Sequence, residues 1–398
     1  MIHIDKDTQQ FILKHESDDI RQLALKAKSY PGIDMSIAIK QIAGRQIAKH
    51  KIPSWYQCEN IIYPKHLSME QCSSEATALY KAALCKGDIL IDLTGGLGVD
   101  FSFMAKNYKQ AYYIETQHEL TELAQCNFNT LNLNQSKVIQ DDAVSFLNSF
   151  DGIADTIFID PARRNDTGKK TVLIEDCTPN LLEIDNLLNT KAQRVIIKLS
   201  PMLDITHALN SLSNVTEVHI ISVNNECKEL LFIKDKVRKD EDIQLICINL
   251  LTNKKDESFT FIKAEENTSS ISHTDEPKRY LYEPNSSILK AGAYRSLGAR
   301  YGLMKLHPNS HLYTSDTLID SFPGRKFQIK EVISPNKKEI KAHFKDITQA
   351  NIATRNYPFS VADIRKQTKL KEGGTDYIFA TTLANEKKVL ILCQKVSD

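Results

Sequence analysis

Between residues 88 and 164 the chain alternates short apolar runs with amphipathic stretches, and each apolar run stops on groups that can do chemistry. The run 89–92 leads into Asp92-Leu93-Thr94-Gly95-Gly96-Leu97-Gly98. The next, 111–115, ends on Glu115, and the third, 137–140, is followed by Asp141-Asp142-Ala143. The fourth, 156–160, leads into Asp160-Pro161-Ala162-Arg163-Arg164. Strand–helix alternation of this kind predicts a mostly parallel sheet with right-handed crossovers. An open sheet of that type gathers its ligand at the carboxyl ends of its strands, so four consecutive strand ends make one site. Further runs at 194–198 and 217–223 extend the sheet. Those at 230–233 and 244–250 follow tight polar turns and suit antiparallel strands at its edge.

The first turn narrows the ligand. Gly95, Gly96 and Gly98 allow a tight bend and a close approach of backbone to ligand. No Lys-Ser/Thr follows Gly98, so this is not a phosphate-cradling loop, and the glycine spacing is not G-x-G-x-x-G. Asp92 can accept from an ammonium or hydroxyl group. Glu115 lies about 20 residues on, at the second strand end, where an acid binds ribose hydroxyls. Two acids at one bend favour a ligand with a positive end and a free ribose over a pyrophosphate. S-adenosylmethionine has both.

At 398 residues the chain predicts two to three domains. Its net charge of +1 hides an asymmetry. From Lys278 to Asp398 there are 21 Lys and Arg against 11 Asp and Glu, and before that 30 against 39. A basic back half suits a polyanion, or is a solvated surface. The eight cysteines form no C-x-x-C pair and stand beside no His cluster, so neither a metal site nor a disulfide framework is expected. No signal-like N-terminus and no apolar run of about 18 residues is present, so the expected location is cytoplasmic, away from membranes. Oligomeric state is not legible.

The chain reads as five segments. Residues 1–80 are helical, and 81–262 hold the strand–helix alternation. Residues 263–277, polar and Ser/Thr-rich, read as a linker or mobile loop. Residues 278–322 form a small basic module, and 323–398 run strand, helix, strand, helix, hairpin. Ser73 or Ser74 caps a helix before the first strand, on which Glu75 and Thr77 either face the cofactor or merely pack.

The run from Asp92 to Asp160 resembles the class I methyltransferases. Asp92–Gly98 matches their first motif, with Thr94 in place of the usual first glycine. The resemblance implies a Rossmann-like seven-stranded α/β methyltransferase sheet that binds S-adenosyl-L-methionine. Asp92, Thr94, Gly95, Gly96, Gly98, Glu115 and Ala143 would lie along the cofactor, with Asp142 or Asp141 on the adenine amino group. Asp160-Pro161 stands where amino-methyltransferases carry D-P-P-Y, whose acid and carbonyl accept from the target NH2 group. Asp160, Pro161 and Arg163 are therefore the catalytic candidates. Ala162 replaces the second proline, and no aromatic follows to stack a base. Arg163 and Arg164 either clamp a phosphate, or Arg163 pairs with Asp160 and braces the loop. The fifth strand lacks the S-C-N-P thiol of carbon methylation, and Cys177 has nothing nearby to activate it. Nitrogen is thus the expected acceptor.

DPARR, the later IIKLSPMLD and the tail ATRNYPFSVADIRKQTKLKEGG together resemble the bacterial class I methyltransferases with a C-terminal THUMP-like domain, best represented in Bacteroidetes. That resemblance implies a helical N-terminal region, the methyltransferase domain, and a small α+β module, ferredoxin-like then THUMP-like. It also implies an RNA partner, tRNA or rRNA, met by Arg355, Arg365, Lys366, Lys369 and Lys371. Methylation of a small molecule or protein, or RNA binding without catalysis on a retained fold, are the alternatives.

Overall fold

The computed structural model describes residues 4–64, 66–163, 174–237 and 242–396, the side chains of 66–68 and 163 excepted. The chain divides into two compact units, residues 1–217 with 229–241 and residues 218–228 with 242–398.

The first unit opens with helices α1 (Lys6–Lys14), α2 (Ile20–Leu25) and α3 (Met35–Lys51). Each starts on an aspartate, Asp5, Asp19 or Asp34, whose carboxylate accepts from N–H groups of the first turn. Those donors have no partner inside the helix, and the caps supply one. Phe11, Ile12, Leu23, Ala38 and Ile42 bring the three apolar faces into one core. Helix α4 (Glu75–Ala83) follows, capped by Ser74.

Strands and helices then alternate: β1 (Gly87–Asp92), α5 (Val99–Met104), β2 (Tyr108–Glu115), α6 (His118–Thr130), β3 (Ser136–Gln140) and α7 (Ala143–Ser149). Next come β4 (Ala154–Ile159), α8 (Leu181–Lys191), β5 (Ala192–Leu199), α9 (Ile205–Ser211), β6 (Val215–Val223) and β7 (Glu226–Asp235). Strand β1 lies between β2 and β4, with β3 beyond β2 and β5 beyond β4, all parallel. Strand β7 runs antiparallel to β5, and β6 is its hairpin partner. Asn224 and Asn225, at φ 49° and 66°, make the two-residue turn that a hairpin favours. These seven are the strands of the expected sheet, which the strands at 244–250 and 257–262 extend to nine. One placement differs: the run 230–233 is not an edge strand. Leu230, Leu231, Phe232 and Ile233 are all fully buried, and a strand apolar at every position belongs inside a sheet covered on both faces.

In the second unit β8 (Gln244–Leu250) pairs antiparallel with β9 (Glu257–Ile262). Residues 263–277, expected as a linker, begin instead as helix α10 (Lys263–Thr268). The remaining elements are β10 (Tyr280–Pro284), α11 (Ser286–Ala291), α12 (Arg295–Arg300), β11 (Tyr313–Ser315) and β12 (Gly324–Ile333). They continue with α13 (Lys337–His343), β13 (Asn351–Arg355), α14 (Val361–Thr368), β14 (Asp376–Thr382) and β15 (Lys388–Lys395). The Glu266 carboxylate on α10 accepts the N–H groups of Tyr294, Arg295 and Ser296 at the start of α12. The polar stretch thus supplies a cap rather than a tether. A second sheet runs β11-β10-β12-β15-β14-β13, with the two-residue strand Met304–Lys305 outside β11. Two cores flank it, one around Ile340, Phe344 and Ile364, the other around Leu306, Leu312 and Phe379. Among the described residues no helix is long and apolar enough to cross a membrane.

Candidate active site

The carboxyl ends of β1 to β4 surround a cavity of about 590 Å³. Thr94 and Gly96 line it after β1, Glu115 at the end of β2, Asp142 and Ala143 after β3, and Asp160 and Pro161 after β4. Gln71 and Cys72, just before α4, and Thr178 and Pro179, just before α8, also line it.

The turn after β1 is shaped by packing as much as by any ligand. A Cβ on Gly95 would stand 2.2 Å from the Tyr113 ring, so only glycine lets the chain pass over β2. Gly98 opens α5 at φ 79°, and a Cβ there would meet Phe128 at 2.8 Å. Gly96 is the glycine that lines the cavity. Thr94, the departure from the usual glycine, has a structural task. Its hydroxyl accepts the Asp160 N–H at 2.6 Å, and its own N–H donates to Asp92 Oδ1 at 3.0 Å. The bend after β1 is thereby tied to the edge after β4.

Glu115 accepts the Gly96 N–H and the Gln117 N–H, each at 2.9 Å, and the Thr116 hydroxyl at 3.2 Å. A carboxylate offers about four lone-pair sites, so capacity remains for a hydroxyl from a ligand. Asp142 caps α7, its Oδ1 accepting from Val144 and Ser145 at 3.0 Å. Asp142 lines the cavity, whereas Asp141 accepts the Asp142 N–H at 2.8 Å and is absent from its wall.

Below Asp160 lies a chain of buried charges. Lys198 Nζ is 2.6 Å from Asp160 Oδ2, 3.3 Å from Asp100 Oδ2 and 3.1 Å from the Ser73 hydroxyl. Asp100 Oδ1 is 3.1 Å from Lys81 Nζ, and Lys81 pairs in turn with Glu229. Lys81 has no exposure at all. Burial opposes the Lys198 charge, but Asp160, Asp100 and Glu229 outweigh it and hold the ammonium well above the usual lysine range. Burial likewise opposes the Asp100 charge, and Lys81 and Lys198 overcome it, so its carboxyl sits below the usual range. Asp92 goes the other way. Burial, with Asp100 and Asp160 nearby, pushes it well above the ordinary value despite the Thr94 N–H.

Several expected residues stand elsewhere. Asp92 is 1% exposed, behind the turn rather than on the cavity wall. Glu75 accepts the Ser54 N–H and Thr77 is buried, so both pack and neither lines the cavity. Cys177 is buried, with its backbone paired to Arg163. The Arg163 side chain and Arg164 lie outside the described residues, and Asp160 has Lys198 as its ion-pair partner. Of the basic residues expected to meet RNA, Arg355 pairs with the buried Glu283 at 2.6 Å and so is held by the fold. Arg365 reaches the Ala350 and Leu370 carbonyls. Lys366 and Lys369, on and just past α14, are exposed. Among the described residues no group of three or more His, Cys, Asp or Glu can hold a metal ion.

Sequence reasoning missed Ser73, Lys81, Asp100, Lys198 and Glu229. A faint signal was there: Lys198 interrupts the apolar RVIIKL, and Glu229 precedes an unbroken LLFI. A charge inside a run that must be buried implies a partner, but sequence spacing does not say which.

Residues 280–323 match a family model described as a ferredoxin-like domain, and residues 324–395 one described as THUMP domain-like. No curated protein matches the chain. A crystal structure from Porphyromonas gingivalis W83, provisionally named a methyltransferase, is 33% identical over 100% of both chains, with a TM-score of 0.89. An rRNA methylase from Streptococcus thermophilus is 15% identical over 41% of this chain and 96% of its own, with a TM-score of 0.32, too low to carry an argument.

Proposed function

Because the chain belongs to the bacterial family of methyltransferases with ferredoxin-like and THUMP-like C-terminal domains, we propose that it methylates a base nitrogen in structured RNA, tRNA or rRNA, using S-adenosylmethionine. The observation that carries this is the cavity itself. Its volume of about 590 Å³ suits a cofactor-sized ligand. Its wall offers Glu115 to ribose hydroxyls, Asp142 to the adenine amino group and the Gly96 bend to the amino-acid moiety. Among the described residues the charges beneath it, three carboxylates against two ammonium groups, leave an excess of one negative charge. That suits a cationic ligand. The cofactor supplies an electrophilic methyl group on a positive sulfur, so the protein's contribution is alignment and the exclusion of competing nucleophiles.

At the acceptor edge Asp160 accepts from the target N–H, and the Pro161 carbonyl is a second acceptor. The RNA reading is supported by the THUMP-like match and by the exposed Lys366 and Lys369. Calorimetry with S-adenosylhomocysteine tests the cofactor: the wild type binds, and Glu115→Ala weakens binding at least about tenfold, the loss of one charged hydrogen bond. Mass spectrometry of nucleosides from a strain lacking the protein tests the substrate. One missing methylated base is expected. An unchanged nucleoside profile refutes RNA as the target.

A further inference from the structure

We infer that Lys198 is the positioning residue of the acceptor edge: it fixes Oδ2 of Asp160, leaving Oδ1 to receive an N–H, and so selects a substrate whose acceptor nitrogen still carries hydrogen. The inference rests on the methyltransferase reading and deepens it. An aspartate at a cavity rim has two equivalent oxygens and a side chain free to turn. Here it is held at both ends. Thr94 holds the main chain through the Asp160 N–H, and Lys198 holds the carboxylate from below at 2.6 Å.

The register of the sheet brings the two together. Strands β4 and β5 are parallel with Ile159 opposite Ile197, so the next residue on each is Asp160 and Lys198. Lys198 cannot swing into the cavity to act on a ligand. Its three N–H bonds already have three acceptors, Asp160, Asp100 and Ser73. Nor is it a base, since Asp160, Asp100 and Glu229 hold its proton against burial. What it supplies is a fixed positive charge under one oxygen.

The surroundings make that charge matter. Asp92 comes from β1, Asp100 from α5, Lys81 from α4 and Glu229 from β7. Without Lys198, Asp160 would face Asp100 and Asp92 across a buried floor with Lys81 as the remaining cation. Repelled by Asp100 and no longer held, its side chain would turn, and neither oxygen would stay fixed toward the cavity. With Lys198 present the site is an acceptor only. It recognises an exocyclic amine or ring imine that brings a donor, and it has nothing to offer a carbon atom or a fully substituted nitrogen.

Three measurements on the full chain test this. In protein labelled with ζ-15N lysine, a buried ion-paired ammonium gives a slowly exchanging NH3+ signal. One such signal should vanish in Lys198→Met and move in Asp160→Asn. By calorimetry, Lys198→Met should bind S-adenosylhomocysteine within threefold of wild type, because Lys198 is absent from the cavity wall. With tritiated S-adenosylmethionine and small RNA from a strain lacking the protein, its kcat should fall about 100-fold at unchanged KM. If that variant does not fold, Lys198→Met with Asp100→Asn removes one charge of each sign and serves in its place. A folded variant with wild-type turnover overturns the inference, as does an ammonium signal that ignores Asp160→Asn. Failure of the wild type to bind S-adenosylhomocysteine refutes the cofactor reading itself, and this inference with it.

Discussion

Replacing Lys81 by methionine is the sharpest test of the buried charge chain. Methionine fills nearly the same volume, so the change is one of charge rather than packing. Lys81 has no solvent exposure and stands between Asp100, 3.1 Å away, and Glu229. Asp100 would keep Lys198 at 3.3 Å and the Ser73 hydroxyl at 2.7 Å. Glu229, with its side chain 5% exposed, would lose its ammonium partner in the interior. Breaking a buried pair from one side costs about 3–5 kcal/mol. At a urea m-value of about 2–3 kcal/mol/M that is a fall of roughly 1–2 M in the unfolding midpoint. The assay is built into the chain. Its one tryptophan, Trp55, is 1% exposed and donates its indole N–H to Ser102 on α5, the helix that carries Asp100. Tryptophan fluorescence therefore follows this region of the first unit. Lys81→Met with Glu229→Gln removes both ends of the pair, and should return to within about 1 kcal/mol of wild type. A shift below about 0.3 M for the single variant, or no recovery in the double, would refute the reasoning.

Asp92→Asn should stabilise the protein at pH 8 and make little difference at pH 4. Burial raises the folded carboxyl above its unfolded value, so its favourable contribution is full at low pH and lost as pH rises through the folded value; thermal melts across pH check this. Thr94→Val removes the acceptor of the Asp160 N–H. It should cost about 1–3 kcal/mol in urea titrations and lower methyl transfer at least about tenfold. Lys366→Ala with Lys369→Ala should flatten the salt dependence of tRNA binding by a slope of roughly one to two in filter binding at 50 to 200 mM salt. Arg355→Ala should leave that slope unchanged and lower the melting temperature only modestly, because Arg325 still pairs with the buried Glu283.

The sequence was most legible where periodicity and strand-end chemistry coincide. An apolar run followed by Asp92 and three glycines, then Glu115, then Asp142, leaves little choice of topology, and the strands run parallel in the order that topology requires. Legibility failed where a residue serves something distant in sequence. Glu266 looked like linker composition, yet its partners are about thirty residues on, at the start of α12. Arg355 looked like a phosphate contact, yet it answers a carboxylate on β10. Lys81 and Glu229 are separated by 148 positions, and no local pattern reports such a pair. Thr94 read as a missing glycine until its hydroxyl was seen on the Asp160 N–H.

The ladder between β10 and β12 bears on how this protein can be cut and recombined. Residues 280–284 pair one to one with 328–324, so the segment matched as ferredoxin-like and the segment matched as THUMP-like divide a single run of main-chain bonds. A truncation at residue 323 would strip β12 of a neighbour on one side and leave its amides open to pairing with another molecule. A graft has therefore to carry both segments together, and with them Glu266, which caps α12 from outside both. Gene fusions that borrow the last seventy residues alone should yield insoluble material, whereas a graft beginning ahead of Glu266 carries its own selvedge.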